Sequence, residues 1–359
     1  MPIVAEGWDG RGAQVPVAAT VRPVRQVWIS KRGGPEVLEV RETEDVAVAA
    51  GEVAIEVGAA GVNFADIMAR IGLYPDAPPI PCVVGYEVAG TVSEVGEGVT
   101  AVAVGDRVLC MTRFNGYSSR VVVPEIQVVP ITAGLSFEQA AAIPVNYLTA
   151  WLMLVKLGNV EAGEKVLVHS VGGGVGQAAL QICKWRGATV IGTASKGKHE
   201  RLLELGVDHV IDYRNEDFEV AVRERVGSVD IVLDALGGAN FSKSYRLLAP
   251  MGRLCMFGVS SMAPGTTRSL VAAVSGLVRM PRFRPVPLMD ANRGVFGVNL
   301  GHLWDDVDKL TVMLAAIMER VEAGDLKPVV DRSFSFDEAG EAHAYIQARK
   351  NFGKIVLTP

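Results

Sequence analysis

The sequence predicts an α/β fold in which a doubly wound parallel sheet is joined to a β-rich, barrel-like domain. Three observations carry that prediction. Residues 163–184 read as strand, glycine turn and helix; strand and helix signals then alternate as far as residue 258; and residues 26–123 hold short strands punctuated by glycine.

In the central stretch, Val166 to Val168 read as a buried strand, and four glycines fall among the five residues 172–176. Val175, Ala179 and Ile182 then share one helical face. Glycines at such a turn reverse the chain tightly and let backbone N–H groups approach a pyrophosphate at the positive end of the helix. Strand, turn and helix in this order open a dinucleotide-binding βαβ unit. The spacing is not the common G-x-G-x-x-G, because Ser170, Gly173 and Gly176 make a small-x-x-Gly-x-x-Gly variant. Further strands are expected at Thr189 to Thr193, at Val210 and Ile211, at Val229 to Leu233, and at Leu254 to Phe257, closed by Gly258. Nucleotide is expected at their carboxyl ends, against Gly173, Gly174, Val175, Gly176, Leu236, Gly237, Phe257 and Gly258.

Before this unit, strands are expected at Gln26 to Ile29, Leu38 to Arg41, Glu52 to Val57, Glu87 to Val95, Arg107 to Met111 and Ser119 to Val123. Asp66 to Arg70 supply a helical turn or two, stopped by Gly72 and followed by a Tyr74-Pro75 loop. After the unit, residues 306–323 place Leu310, Met313, Leu314, Ile317, Met318 and Val321 on one helical face. A helix over 337–350 and a strand from Lys354 to Leu357 close the chain, and residues 1–24 read as an irregular arm.

A chain of 359 residues accommodates two domains, and a net charge of -5 argues against a general nucleic-acid binder. Cys82, Cys110, Cys183 and Cys255 are far apart and form no CxxC pair, as expected of reduced, buried thiols. The start of the chain lacks the pattern of a secretory signal, and its apolar runs fall short of the ~20 residues of a membrane helix. A cytoplasmic location is the expectation.

The motifs Asn63-Phe64-Ala65-Asp66, Gly72-Leu73-Tyr74, Gly105-Asp106-Arg107-Val108, the glycine turn and Asn351-Phe352-Gly353-Lys354-Ile355-Val356-Leu357 resemble the medium-chain dehydrogenase/reductase superfamily. Within it, the chain is similar to the zinc-free quinone oxidoreductase (zeta-crystallin-like) group. Asn146-Tyr147-Leu148-Thr149-Ala150, Lys198-His199-Glu200 and Ala291-Asn292-Arg293 point to its vesicle amine transport protein branch. The resemblance spans about residues 25–359 and departs at Val171, where a smaller residue is the pattern. It implies a GroES-like β-barrel-type catalytic domain from residues 1–146 plus 302–359 and a Rossmann domain from 147–301. Zinc-dependent relatives carry Cys at the position of Asn63 and His at that of Tyr86, so no metal is expected.

The second strand of the βα unit ends Thr193-Ala194-Ser195-Lys196-Gly197-Lys198, with two lysines and no carboxylate for a ribose hydroxyl. That charge suits a 2′-phosphate, hence NADPH. By resemblance Ser195, Lys198 and Tyr213 contact the phosphate, with Glu200 nearby. NADPH without metal implies hydride transfer to an electrophilic small molecule, a quinone or an α,β-unsaturated carbonyl. The resemblance further implies Tyr74 as proton donor and Asn63 as an orienting group beside the nicotinamide. It also implies Asn146 and Thr149 near that ring, and Asn351 reaching the cofactor. An enoyl-thioester reductase of a biosynthetic pathway and a non-catalytic nucleotide-binding interaction protein are the rival readings. In residues 261–292, apolar Leu270 to Val278 precede Arg279, Arg282 and Arg284, which alternate with Met280, Pro281, Phe283 and Pro285. A cleft lid is expected there, rather than an element lying on a membrane surface. Gly294 to Leu300 form the expected last strand, which the resemblance pairs across a homodimer axis.

Overall fold

A computed structural model describes residues 23–131, 134–263, 265–267 and 269–359. The arm expected at residues 1–24 lies outside them, apart from its last two residues. The chain enters at β1 (Val24–Ile29), antiparallel to β2 (Leu38–Thr43). β3 (Glu52–Val62) runs five residues past its expected end. It does so because it is the sheet's central strand, paired along its length with several others and buried at Ala59, Ala60 and Val62. After α1 (Phe64–Arg70) come β4 (Cys82–Val83), β5 (Glu87–Val95), β6 (Arg107–Met111), β7 (Arg120–Pro124) and β8 (Val128–Pro130). Short α2 (Phe137–Ala141) starts on a reciprocal cap: Gln139 N donates to Ser136 Oγ at 3.2 Å, and Ser136 N to Gln139 Oε1 at 3.0 Å. Helix α3 (Pro144–Trp151) then carries the chain out of this domain.

The second domain alternates β9 (Lys165–Val168), α4 (Gly174–Trp185), β10 (Thr189–Ala194), α5 (His199–Glu204), β11 (His209–Asp212), α6 (Phe218–Val226), β12 (Val229–Asp234), α7 (Asn240–Arg246) and β13 (Leu248–Met256). Helices α8 (Leu270–Val278) and α9 (Pro285–Ala291) precede the edge strand β14 (Gly294–Gly297). All six strands are parallel, in the order β11-β10-β9-β12-β13-β14. The order reverses between β9 and β12, where the crevice outside the strand ends accepts ligands. β14 stops short of Leu300 because Asn299 turns the chain: its Oδ1 accepts from Gly301 N at 3.0 Å.

α10 (Val307–Glu322) packs on α3, and β15 (Val330–Ser335), α11 (Ala339–Gln347) and β16 (Lys354–Thr358) return to the first domain. β16 pairs antiparallel with β3, so the last strands of the chain complete the sheet of the first domain, in the order β15-β16-β3-β5-β6-β8, with β7 also pairing β3. The departure at Val171 has a structural answer. Val171 is fully buried, and a Cβ on Gly192 would lie 2.4 Å from its Cγ1. The absent side chain on β10 makes room for the larger one at the turn.

Candidate active site

Between the two domains runs a cleft of about 1400 Å³. Its floor is the glycine turn. Ser170 adopts φ 56°, and Gly173 N donates to Ser170 O at 2.8 Å, closing the turn before α4 begins. A Cβ on Gly176 would lie 2.5 Å from Ser170 O and 2.6 Å from Val171 Cα, so only glycine lets α4 start this close to the strand. From the other domain, Gly353 N donates to Gly172 O at 2.9 Å. The turn is therefore held from both sides.

Of the residues singled out from the sequence, Asn63, Tyr74, Asn146, Thr149, Gly173, Gly174, Val175, Gly176, Ser195, Lys198, Tyr213, Phe257, Gly258 and Asn351 all line this cleft. Leu236 and Gly237 do not. Their N–H groups point back to Asp234 Oδ1, at 2.7 and 3.2 Å, closing the turn after β12. Asn146 and Thr149 lie inside α3 rather than capping it, and each bonds a carbonyl four residues back, Asn146 Nδ2 to Ala142 O and Thr149 Oγ1 to Val145 O.

At one end of the cleft lie Ser195, Lys198 and Tyr213. Lys198 Nζ donates to Arg349 O at 3.0 Å and to Asn351 O at 2.5 Å, and burial pulls its pKa below the ordinary lysine value. Burial alone would raise the Tyr213 phenol, but Arg349 and Arg214 outweigh it and bring the pKa down. The Arg349 guanidinium stands 5.6 Å from the Tyr213 ring centre. Arg349 also lines the cleft and adds a fourth positive or hydroxyl group to this end. Sequence reasoning missed it, since it lies 136 positions after Tyr213 (349 minus 213) in the other domain.

At the opposite end, Asn63 is committed to a buried cluster. Its Nδ2 donates to Glu87 Oε1 at 3.0 Å, and its Oδ1 accepts from Lys354 Nζ at 2.7 Å. Lys354 also pairs with Glu87 directly, and Val145 N donates to Glu87 Oε2 at 2.7 Å. One carboxylate thus ties β5, β16 and the first turn of α3 together. Asp66, fully buried, accepts from Asn63 N, Gly85 N and Tyr117 Oη, and burial pushes its carboxyl up to about 7. It organises the start of α1 and does not line the cleft. Tyr74 is half-buried over the cleft, with its phenol raised by burial. At the rim, Asp76 Oδ2 meets His302 Nε2 at 2.8 Å.

Helix α8 leaves Val271 and Val278 about four-fifths exposed, while Met280, Pro281 and Phe283 just after it line the cleft. Residues 280, 281 and 283 thus form part of the cleft wall, and α8 just before them carries an apolar outer face. No described helix is long and apolar enough to cross a membrane. All four cysteines are free and buried.

Residues 49–149 match the alcohol dehydrogenase GroES-like domain, and residues 205–357 match the zinc-binding dehydrogenase family. The human synaptic vesicle membrane protein VAT-1 homolog is 39% identical over 324 residues, covering 90% of this chain and 82% of that protein. The Escherichia coli quinone oxidoreductase, solved in complex with NADPH, superposes with a TM-score of 0.81 at 31% identity, over 93% of this chain and 100% of the other. The CurK enoyl reductase gives a TM-score of 0.81 at 30% identity, over 93% and 99%.

The second family description raises zinc. Among the described residues no group of three or more His, Cys, Asp or Glu side chains is arranged to hold a metal ion. At Asn63 and Tyr86 stand an amide already bonded on both atoms, one of them to the Lys354 ammonium, and a phenol that burial keeps protonated. That donor set does not fit a zinc ion. The glycine turn and the Lys198 end, by contrast, fit a dinucleotide: backbone N–H groups at a helix start, and cationic groups beyond the second strand.

Proposed function

Because the chain belongs to the medium-chain dehydrogenase/reductase superfamily, we propose that it is a zinc-independent, NADPH-dependent reductase of quinones or α,β-unsaturated carbonyls. One observation carries this reading. A glycine turn, a cationic end at Lys198, Tyr213 and Arg349, and a phenol at Tyr74 all face a single largely apolar cleft. Bound NADPH supplies a hydride. The chain's own groups do the rest. The start of α4 receives the pyrophosphate, while Ser195, Lys198, Tyr213 and Arg349 receive the 2′-phosphate. α3 brings Asn146 and Thr149 to the turn, and a Cβ on Gly174 would lie 2.5 Å from Asn146 Nδ2, which shows how closely the two pack. Asn63, fixed by Glu87 and Lys354, sets the shape of the opposite wall.

Charge that develops on the acceptor oxygen needs a donor. Tyr74, a phenol that burial shifts upward from its ordinary value, is that donor. A quinone makes little demand on such an acid, whereas an enoyl thioester depends on it. The same phenol therefore supports a second reading, enoyl-thioester reduction, in line with the similarity to CurK. β14 is the edge strand of its sheet and suits pairing with a second copy, so the chain is proposed to act as a homodimer.

The test is NADPH oxidation at 340 nm against quinones, enones and enoyl thioesters, with NADH as control. Turnover on at least one class is the expected result, lost for thioesters but retained for quinones in Tyr74→Phe. Tight NADPH binding without turnover on any acceptor would instead support a non-catalytic nucleotide-binding protein. Preference for NADH would refute the assignment of Ser195 and Lys198.

A further inference from the structure

Among the described residues, Tyr86 Oη is the only fully enclosed side-chain oxygen with no hydrogen-bond partner. Of the buried groups left unpaired, it alone belongs to a residue lining the cleft. A buried hydroxyl without a partner is costly in a folded chain, so its retention beside a reaction cleft calls for a reason. Its neighbours supply one. The Tyr86 ring meets Tyr74 edge to face, with centroids 6.3 Å apart and planes at 88°. Phe114 lies against Tyr86 at 5.3 Å. Tyr74 follows α1 and Tyr86 precedes β5, so both belong to one domain and keep their relation if the cleft opens.

We propose that Tyr86 is a positioning residue for Tyr74: when Tyr74 has given up its proton, the Tyr86 hydroxyl donates a hydrogen bond to the phenolate that remains. This inference rests on the reductase reading above. The step balances without a further reagent. The Tyr74 O–H bond breaks, an O–H or C–H bond forms on the reduced acceptor, the electron pair stays on Tyr74 Oη, and solvent later returns the proton. In the resting structure the Tyr86 hydroxyl has no partner, although each tyrosine acts on the other's acidity, which leaves Tyr86 free to engage when charge appears. The electrostatics agree. Burial raises the Tyr74 phenol while Tyr86 acts to lower it, and burial pushes Tyr86 itself far above the usual tyrosine range, so Tyr86 remains the donor. An unpaired hydroxyl that pairs only in the charged state stabilises that state selectively.

The experiment uses Tyr86→Phe, which removes one oxygen, in the full-length protein carrying a fluorinated tyrosine at position 74. Titration of that residue by ¹⁹F NMR is expected to show its pKa about one unit higher in the variant, roughly a tenfold loss of phenolate stabilisation. With an enone, kcat is expected to fall about tenfold, a fraction of the ~10²–10⁴ range of general acid catalysis, while KM stays within about twofold. Tyr74→Phe/Tyr86→Phe is expected to be no slower than Tyr74→Phe alone. An unchanged Tyr74 titration, or additive losses in the double variant, would overturn the proposal. If the wild-type protein reduces no acceptor, the reductase reading fails, yet the titration still decides whether Tyr86 acts on Tyr74. Should Tyr86→Phe fold poorly, a fluorinated tyrosine at position 86 keeps ring and hydroxyl and alters only its acidity. The Tyr74 pKa must then move downward, and its constancy counts against the proposal.

Discussion

Lys354→Met is the most informative single perturbation of the fold. Lys354 is 2% exposed and Glu87 is fully buried, so their pairing takes place out of water. Without the ammonium, Glu87 keeps its bonds from Asn63 Nδ2 and Val145 N but loses the one opposite charge at bonding distance among the described residues. Asn63 Oδ1 loses its donor in the same step. Breaking a buried pair by removing one partner costs about 3–5 kcal/mol, largely because the other charge is left uncompensated. The expected result is a loss of that size in urea unfolding without cofactor, with the slope of the transition unchanged. Removing the stranded charge as well, in Glu87→Gln/Lys354→Met, is expected to restore at least about 1 kcal/mol, since the two sites are in contact and do not add independently. A loss below about 1 kcal/mol in Lys354→Met, or a double variant no more stable than the single one, would refute the argument that this charge pair joins β5, β16 and α3.

Three further predictions follow from other parts of the molecule. Lys198→Ala is expected to weaken NADPH roughly tenfold, since a hydrogen bond to a charged group contributes about 1.5 kcal/mol or more, and to leave NADH within about twofold. Fluorescence titration checks this, and Arg349→Ala should behave alike if it shares the phosphate. Gly192→Ala drives a methyl into Val171 and is expected to cost about 1–3 kcal/mol; Val171→Ala in the same chain should recover most of it, as thermal unfolding would reveal. His343 is fully buried, and burial, aided by nearby Arg70, holds its pKa down at about 3. A group depressed in the folded state gives its full stability above the ordinary value near 6.5 and loses it as pH falls toward 3. At pH 5 the loss is about 2 kcal/mol, 1.5 pH units at 1.36 kcal/mol each. His343→Gln should lack this part of the acid limb, and identical pH dependence in both proteins would exclude it.

The elements legible in the sequence are those whose signals are local. The strands of the parallel sheet are short apolar runs, and β9 and β12 are buried on both faces, so their boundaries fell within a residue of expectation. The glycine turn needs positions that only glycine satisfies and announces itself by composition. The short strand β8 was missed because three residues carry no readable period. β14 was drawn too long because Val298 and Leu300 continue the apolar pattern, while the Asn299 turn that ends the strand depends on a side-chain bond.

The candidate site divides in the same way. The residues lining the glycine turn, and Ser195 and Lys198 beyond β10, lie near one another along the chain, where backbone geometry brings them to one sheet edge. The sequence by itself therefore determined the two-domain architecture, the switch-point crevice and the cationic character of one end. Only the tertiary structure decided what closes the crevice. Arg349 beside Tyr213, the Lys198 bonds to Arg349 and Asn351, and the Asn63–Glu87–Lys354 cluster join positions as much as 291 residues apart. Such contacts follow from how two folded domains pack, and the orphan hydroxyl of Tyr86 likewise exists only because packing removed it from water without giving it a partner. Local period and turn chemistry say what a segment becomes; the meeting of side chains across domains is settled only when the whole chain has folded.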